Sequence, residues 1–193
     1  MTHRAALFDM DGTLVDSTAA VEVVWTELAD RYGLDAAEIL SVAHGVRAID
    51  TMRRFVPQDE VAGAVALLEE RELGMMDGVV EVPGAIDYLR ALDIPYAIVT
   101  SAAPALAHAR LAAAGIPLPE VLITAVDVTQ GKPSPEGYLL AAQRLGVPIV
   151  DCVVFEDAEA GILAGLAAGA DVVVVGGWES ETTRGLERIA DYR

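Results

Sequence analysis

The spacing of apolar residues changes twice along the chain. The short run Ala5-Ala6-Leu7-Phe8 lies between Arg4 and an Asp-Gly pair, which is typical of a buried strand. From Thr18 onwards apolar residues recur every three or four positions, which predicts helices. These helices are expected at about residues 18–32, after Asp35, around residues 49–55 and from residue 58 to about residue 76. Residues 18–80 contain no pattern typical of a strand.

Short apolar runs return after residue 80, and each is separated from the next by a helical pattern. The predicted strands are Tyr96 to Val99, Val121 to Ile123, Cys152 to Phe155 and Asp171 to Val175. The predicted helices are Ala85 to Leu92, Pro104 to Ala114, Pro135 to Leu145, Ala158 to Ala168 and Thr182 to Ile189. Such apolar strands, separated by helices, are typical of a parallel sheet that is covered on both faces.

The first strand precedes the helical stretch and the others follow it. We therefore predict an α/β fold with a Rossmann-like parallel sheet and an inserted small all-helical cap. Residues 1–16 and 81–193 would form the α/β core, and residues 17–80 would form the cap. Ligands of such sheets bind beyond the carboxyl ends of the strands, so polar residues at those ends are the candidates for a site.

Composition narrows the range of partners. The chain has 193 residues, enough for a core domain with a small insert, and 53% of them are hydrophobic. A formal net charge of -17 disfavours nucleic acid and anionic membranes as partners, and 5% aromatic residues argue against a surface that stacks bases. The acidic charge and the small size favour a monomer. An anionic ligand would need local cations to overcome the overall field.

The N-terminal sequence and the single cysteine bear on the cellular compartment. No basic segment followed by an apolar stretch opens the chain, and no apolar run is long enough to cross a bilayer. A cytoplasmic protein is therefore expected. Cys152 excludes an intrachain disulfide, and its apolar surroundings predict a buried thiol rather than a nucleophile.

Two aspartates directly follow the first strand. Asp9 and Asp11 are two positions apart, so they would point to the same side if the strand geometry continued. Two close carboxylates repel each other unless a cation or a proton compensates, and Mg²⁺ suits a site with few carboxylates and a phosphate. The alternative is a simple turn at Asp11-Gly12, with Asp9 serving as a cap.

Three further strand ends carry polar residues. Thr100 and Ser101, with the backbone N–H groups of the next helix, would suit an anion, although they would also suit simple N-capping. Glu156 and Asp157 would bring the carboxylates at this edge to four, and capping explains only one of them easily. Lys132 precedes Pro133, which excludes a helical conformation there, so the lysine would be a cation held by a stiff loop.

Together these segments resemble the motifs of the haloacid dehalogenase superfamily. They occur in the family's order and span nearly the whole chain. Within the superfamily, the helical segment resembles the small cap of the β-phosphoglucomutase-like branch, and the chain looks most similar to its sugar-phosphate and polyol-phosphate phosphatases. The segments are Asp9-Met10-Asp11-Gly12-Thr13-Leu14-Val15-Asp16-Ser17, Val99-Thr100-Ser101, Gly131-Lys132-Pro133-Ser134-Pro135 and Phe155-Glu156-Asp157-Ala158-Glu159-Ala160-Gly161-Ile162.

The resemblance implies a role for each candidate residue. Asp9 would be the nucleophile that forms an aspartyl-phosphate, and Asp11 would be the general acid and base. The Mg²⁺ ion would be bound by Asp9, by the backbone carbonyl of Asp11, by Asp157, and by Glu156 directly or through water. Phosphate oxygens would be held by Thr100 and Ser101, and Lys132 would neutralise the charge on Asp9 and the phosphate.

The cap would choose the substrate, a small phosphorylated sugar or polyol. His44 and Arg47 are the cap residues expected to face it, although His44 is equally compatible with a hinge or surface position. One alternative is a phosphotransferase of the β-phosphoglucomutase type, but the mutase pattern Gly-Val-Ser-Arg is shortened here to Gly45-Val46-Arg47, which favours a phosphatase. A non-enzymatic sugar-phosphate-binding module is another alternative, and the intact set of motif residues argues against it.

Overall fold

A six-stranded parallel sheet forms the centre of the computed structural model, which describes residues 3–193. The strands stand in the order β5-β4-β1-β6-β7-β8. Every pair of neighbours in this sheet is parallel. The strands are β1 (Ala5–Phe8), β4 (Tyr96–Val99), β5 (Val121–Ile123), β6 (Cys152–Glu156), β7 (Asp171–Val175) and β8 (Glu187–Ile189).

Helices cover both faces of the sheet because successive strand residues point to opposite sides. Phe8 and Phe155 lie in one apolar cluster, whereas Leu7 and Val154 lie in the other, and all four are buried. The first cluster includes side chains of α5 (Ala85–Ala91) and α6 (Pro104–Ala113). The second includes side chains of α7 (Glu136–Leu145) and α8 (Glu159–Ala168). The predicted α/β class with a parallel sheet is confirmed.

The inserted helical unit comprises α1 to α4 and has an apolar cluster of its own. Trp25, Leu28, Ile39, Met52 and Leu68 are buried in this cluster, at the helical spacing seen in the sequence. Its helices are α1 (Thr18–Tyr32), α2 (Ala36–Ala43), α3 (Ala48–Phe55) and α4 (Val61–Leu73).

A two-stranded antiparallel ribbon lies where the chain leaves and re-enters the core. It pairs β2 (Val15–Asp16) with β3 (Val80–Glu81). The expectation of no strand within residues 18–80 was therefore wrong at its last position. Val80 and Glu81 form a strand because Asp16 and Val15, respectively, pair with them. None of the described helices is long and apolar enough to cross a membrane.

The helix predicted from Thr182 to Ile189 was also wrong. The segment forms turns and then β8, which pairs with Val173–Val175 of β7. Gly185 has a φ of 87°, which ends any helix at that point. The carboxylate of Glu159 accepts hydrogen bonds from the hydroxyls of Ser180 (2.7 Å) and Thr182 (2.5 Å), so the turn is held against α8.

Candidate active site

The carboxyl ends of three adjacent strands bring the candidate residues together. Phe8 of β1 is in register with Ile98 of β4 and with Phe155 of β6. The residues that follow these strands therefore meet at one edge of the sheet, as expected for a parallel α/β fold. They are Asp9, Thr100 and Asp157, together with Glu156, the last residue of β6.

Lys132 is buried among the acidic groups at this edge. Its Nζ contacts a carboxylate oxygen of Asp9, lies 2.6 Å from Oε1 of Glu156 and donates to the backbone oxygen of Val99 at 3.1 Å. All three ionisable side chains are at least nine-tenths buried. Tyr138 donates its hydroxyl proton to the same Glu156 oxygen at 2.6 Å. A buried charge is costly unless it is paired, so this arrangement fixes the lysine and both carboxylates.

Burial and crowding set the protonation of the cluster. Burial raises the pKa of Asp9 well above its usual value, and Lys132 opposes that change. Burial, together with the nearby Glu156 carboxylate, raises the pKa of Asp157 to about 7. Asp9 and Glu156 raise the pKa of the lysine despite its burial. Three carboxylates thus share one ammonium group, and a further positive charge at this position would be strongly favoured.

A divalent cation fits this donor set. One carboxylate oxygen from each of Asp9, Glu156 and Asp157 lies within 4.8 Å of the others. The donors are all oxygens, which Mg²⁺ prefers. The backbone makes room for them, because a Cβ at Gly12 would collide with the Asp157 carboxylate and one at Gly161 would collide with that of Glu156. Thr13 also donates its hydroxyl proton to Asp157 at 3.2 Å and so orients it.

The Asp11 carboxylate lies outside this group of oxygens. Its Oδ1 accepts a hydrogen bond from the hydroxyl of Ser17 at 2.7 Å, and its Oδ2 lies 3.0 Å from Nη1 of Arg110. The side chain is 28% exposed, compared with 5% for that of Asp9. The two aspartates therefore have different surroundings. Asp9 belongs to the buried charge cluster, whereas Asp11 faces the open space next to that cluster.

Thr100 and Ser101 hold the backbone at the end of β4. The hydroxyl of Thr100 accepts a hydrogen bond from the backbone N–H of Ala102 at 3.0 Å. The hydroxyl of Ser101 donates to the backbone oxygen of Gly45 at 2.8 Å, which ties the core to the inserted helical unit. Both residues line the cavity described next.

A cavity of about 240 Å³ lies between the sheet edge and the inserted helical unit. The core contributes Asp9, Asp11, Thr100 and Asp157 to its lining. The inserted helical unit contributes apolar side chains and several polar ones, namely Val21, Trp25, His44, Arg47, Ile49, Val65, Glu69 and Glu72. A cavity of this volume suits a small ligand rather than a macromolecule.

His44 and Arg47 both line the cavity, but they differ in their surroundings. His44 ends α2 and is exposed. Arg47 is mostly covered, since only 13% of its side chain is accessible. Its Nε lies 2.6 Å from Oδ2 of Asp50, and its Nη1 donates to the backbone oxygen of Val128 at 3.2 Å.

Sequence reasoning missed a buried ion network on the other side of the cavity. Arg110 of α6 lies between Asp11 and Glu72, with an Nη2–Oε1 distance of 3.0 Å to the latter. Glu72 is in α4, so the network joins the core to the inserted helical unit. One signal was available: Arg110 falls at the same helical spacing as the buried Leu106 and Ala107. A charge within an apolar helix face requires a partner.

Residues 3–169 match the sequence pattern of a protein family described as haloacid dehalogenase-like hydrolase. The chain belongs to the haloacid dehalogenase-like hydrolase family. Hexitol phosphatase A of Escherichia coli (strain K12), a relative, is 46% identical over 181 residues, which cover 91% of this chain and 84% of that protein. Glycerol-1-phosphate phosphohydrolase 2 of Saccharomyces cerevisiae is 39% identical over 183 residues, which cover 88% of this chain and 73% of that protein.

A solved structure within this hydrolase family's fold is also similar. The putative β-phosphoglucomutase of Thermotoga maritima is 26% identical, with a TM-score of 0.69 over 96% of this chain and 93% of that one. This similarity agrees with the β-phosphoglucomutase-like branch predicted from the motifs. The family predicted from the sequence is thus confirmed.

Proposed function

We propose that this protein is a Mg²⁺-dependent phosphatase that hydrolyses a small sugar or polyol phosphate through an aspartyl-phosphate. As a member of this hydrolase family with named phosphatases among its relatives, it is a phosphoric monoester hydrolase. The observation that carries the proposal is the buried Asp9 carboxylate, which contacts Lys132 and opens onto a cavity of small-ligand size. Relatives named for phosphatase activity on a hexitol and on glycerol 1-phosphate support the substrate class.

The first step forms a bond between a carboxylate oxygen of Asp9 and the phosphorus atom. The bond from phosphorus to the substrate oxygen breaks, and Asp11 donates a proton to the departing alcohol. In the second step Asp11 takes a proton from water, whose oxygen attacks the same phosphorus and releases Asp9 and inorganic phosphate. Asp11 suits both steps because it faces the cavity, whereas Asp9 is fixed in the charge cluster.

Lys132 and the strand ends stabilise the charge that moves during both steps. The Lys132 ammonium group contacts Asp9 and would neutralise the negative charge of that carboxylate and of the phosphoryl oxygens. Thr100 and Ser101 lie at the end of the neighbouring strand, where the Thr100 hydroxyl and the backbone N–H of Ser101 would bind those oxygens.

Asp9, Glu156 and Asp157 would hold the Mg²⁺ ion, together with the backbone oxygen of Asp11. When bound, the ion would offset the negative charge of the phosphoryl group and of the carboxylates. Asp157 is already oriented by Thr13, and Glu156 is tied by Lys132 and Tyr138.

We further propose that residues 17–80 act as a cap over a core formed by residues 1–16 and 81–193. The Ser101–Gly45 hydrogen bond and the Arg110–Glu72 ion pair cross between these parts, so they would hold the cap closed. Closure excludes water from the cavity and places His44 and Arg47 near the substrate.

A phosphate-release assay with Mg²⁺ tests the proposed function. Hexitol phosphates, glycerol 1-phosphate and hexose phosphates are compared at equal concentration, and turnover of at least one class is expected. Asp9→Asn should abolish turnover while leaving the circular dichroism spectrum and the melting temperature in the folded range. No release from any of these esters, or full activity of Asp9→Asn, would overturn the proposal. Glucose 1-phosphate with the glucose bisphosphate as primer would reveal phosphotransfer instead, through formation of glucose 6-phosphate.

A further inference from the structure

We propose that the cavity selects phosphate monoesters of uncharged alcohols and rejects esters that carry a second phosphate or a carboxylate. The inference rests on the proposed function and narrows its substrate class. Its basis is the charge balance of the cavity wall: both arginines that line the cavity are already neutralised by carboxylates, and one further glutamate lines it without a cationic partner.

Arg47 is the arginine nearest to the loop that carries Lys132. Its Nε is bound to Asp50 at 2.6 Å, and a second nitrogen donates to the backbone oxygen of Val128 at 3.2 Å. The side chain also packs on the loop, because a Cβ at Gly131 would lie 2.6 Å from Nε of Arg47. A guanidinium fixed in this way has little freedom to reorient toward a second anion. A second anion of the ligand could bind Arg47 only by competing with Asp50.

Arg110 forms ion pairs with carboxylates on two sides. Its Nη1 and Nη2 atoms each lie 3.0 Å from a carboxylate oxygen, the first of Asp11 and the second of Glu72. Only 5% of the side chain is accessible. Glu72 alone balances the single positive charge, and Asp11 adds a negative charge whenever it is ionised, so this side of the cavity carries no surplus positive charge.

Glu69 lies one helical turn before Glu72 and also lines the cavity. It forms no ion pair within residues 3–193, where the structure is described. A free carboxylate accepts hydrogen bonds from alcohol hydroxyls, but it repels a second carboxylate or phosphate. His44 is the remaining lining group that can carry positive charge, and it is exposed. The wall thus favours hydroxyl groups over anions at the end of the ligand remote from the reacting phosphate.

Matched substrate pairs test this selection. Glycerol 1-phosphate is compared with 3-phosphoglycerate, and fructose 1-phosphate with fructose 1,6-bisphosphate. Each pair differs mainly by one anionic group. We expect kcat/KM for the charged member to be lower by about tenfold or more, as one unscreened like-charge contact implies. Equal values within each pair would overturn the proposal.

Substitutions of residues in the cavity wall test which side chains cause this selection. Glu69→Gln should reduce the ratio of kcat/KM between the uncharged and the charged member of each pair by about threefold or more. Glu70 is an exposed neighbour on the same helix, and Glu70→Gln should leave this ratio unchanged. Asp50→Asn frees Arg47 and should raise activity toward the charged members, with exposed Asp59→Asn as its control. His44→Asn should not reduce the ratio of kcat/KM values within each pair. Equal ratios in Glu69→Gln and Glu70→Gln would contradict the assignment.

Binding measurements separate this inference from the proposed function. Calorimetric affinities of Mg²⁺-loaded Asp9→Asn protein for the same compounds should show the same preference without any turnover. If the protein binds the uncharged members more tightly but hydrolyses none of them, the proposed function fails and the selection stands. If it hydrolyses the uncharged members but binds both members of each pair equally, the selection fails and the proposed function stands.

Discussion

Removing Arg110 should destabilise the protein more than removing an exposed arginine nearby. Arg110→Met takes away the only cation between two carboxylates and leaves Glu72 buried without a partner. Arg71 offers a matched control on the helix that carries Glu72. It pairs with Glu27 at 2.5 Å, but the two side chains are 51% and 46% exposed. Both substitutions remove one positive charge, so they differ in burial rather than in net charge.

The difference in burial sets the expected magnitudes. Breaking a buried pair by removing one partner costs about 3–5 kcal/mol, because the remaining charge is desolvated and unpaired. Losing an exposed pair costs about 0–1 kcal/mol. We therefore expect the free energy of unfolding to fall by about 3 kcal/mol or more in Arg110→Met and by less than about 1 kcal/mol in Arg71→Met.

Urea denaturation of a double-mutant cycle isolates the ion pair. The cycle compares the wild type, Arg110→Met, Glu72→Gln and the double variant. Contacting partners in a network are expected to show a coupling energy of about 1–3 kcal/mol. A coupling energy below about 0.5 kcal/mol, or equal losses in Arg110→Met and Arg71→Met, would refute the reasoning.

The pH dependence gives an independent check on the same variant. Burial already raises the pKa of Glu72 in the folded protein, and Arg110 is the main influence that lowers it. Removing the arginine raises this pKa further, so the folded state binds a proton more tightly than the unfolded state. Stability linked to this group is present at low pH and is lost as the pH rises through the folded pKa. The loss in free energy of unfolding caused by Arg110→Met should therefore become smaller as the pH is lowered.

Three further predictions concern the metal cluster and the closed cavity. Because the pKa of Asp157 is raised from 3.8 to about 7, the protein in chelator should lose thermal stability as the pH rises from about 4 to about 7. Either Mg²⁺ or Asp157→Asn should flatten that decline in a melting assay, and a flat wild-type profile in chelator would contradict this prediction. Gly161→Ala should place a methyl group on the Glu156 carboxylate and weaken Mg²⁺ binding, measured by calorimetry, with a loss of about 1–3 kcal/mol in stability. Gly63→Ala, which meets no atom within 4 Å, should instead be neutral or stabilising. Ser101→Ala removes the hydrogen bond to Gly45 and should reduce kcat/KM severalfold in steady-state kinetics; unchanged kinetics would show that this contact does not contribute to closure.

The strands of the sheet were predictable because they are short, apolar and buried on both faces. β1 and β6 are buried along their whole length, and their sequences contain the apolar runs that define such strands. β8 was not predictable in this way. Its sequence Glu187-Arg188-Ile189 is mostly polar and exposed, and it becomes a strand because the edge of β7 offers unpaired backbone groups.

The candidate site was partly predictable for a related reason. Asp9, Thr100, Glu156 and Asp157 lie at or directly after strand ends that meet, so topology alone brings them together. The second partner of Arg110, Glu72, depends instead on how the inserted helical unit is placed over the core, and local pattern carries no information on that placement. Arg110 and Glu72 come from different helices, and only their tertiary contact explains why both charges are buried.

The central position of β1 has a consequence for protein synthesis. Asp9 leaves the ribosome before its counter-ion Lys132, which lies 123 positions later in the chain, and β6 follows later still. At about 5–20 residues per second, the nascent chain carries an unmatched carboxylate beside a half-formed sheet for roughly 6–25 seconds. β1 can pair with β4 before this point, but its other edge has no partner until β6 arrives. Burial of the reactive aspartate and completion of the sheet would then be a single late event.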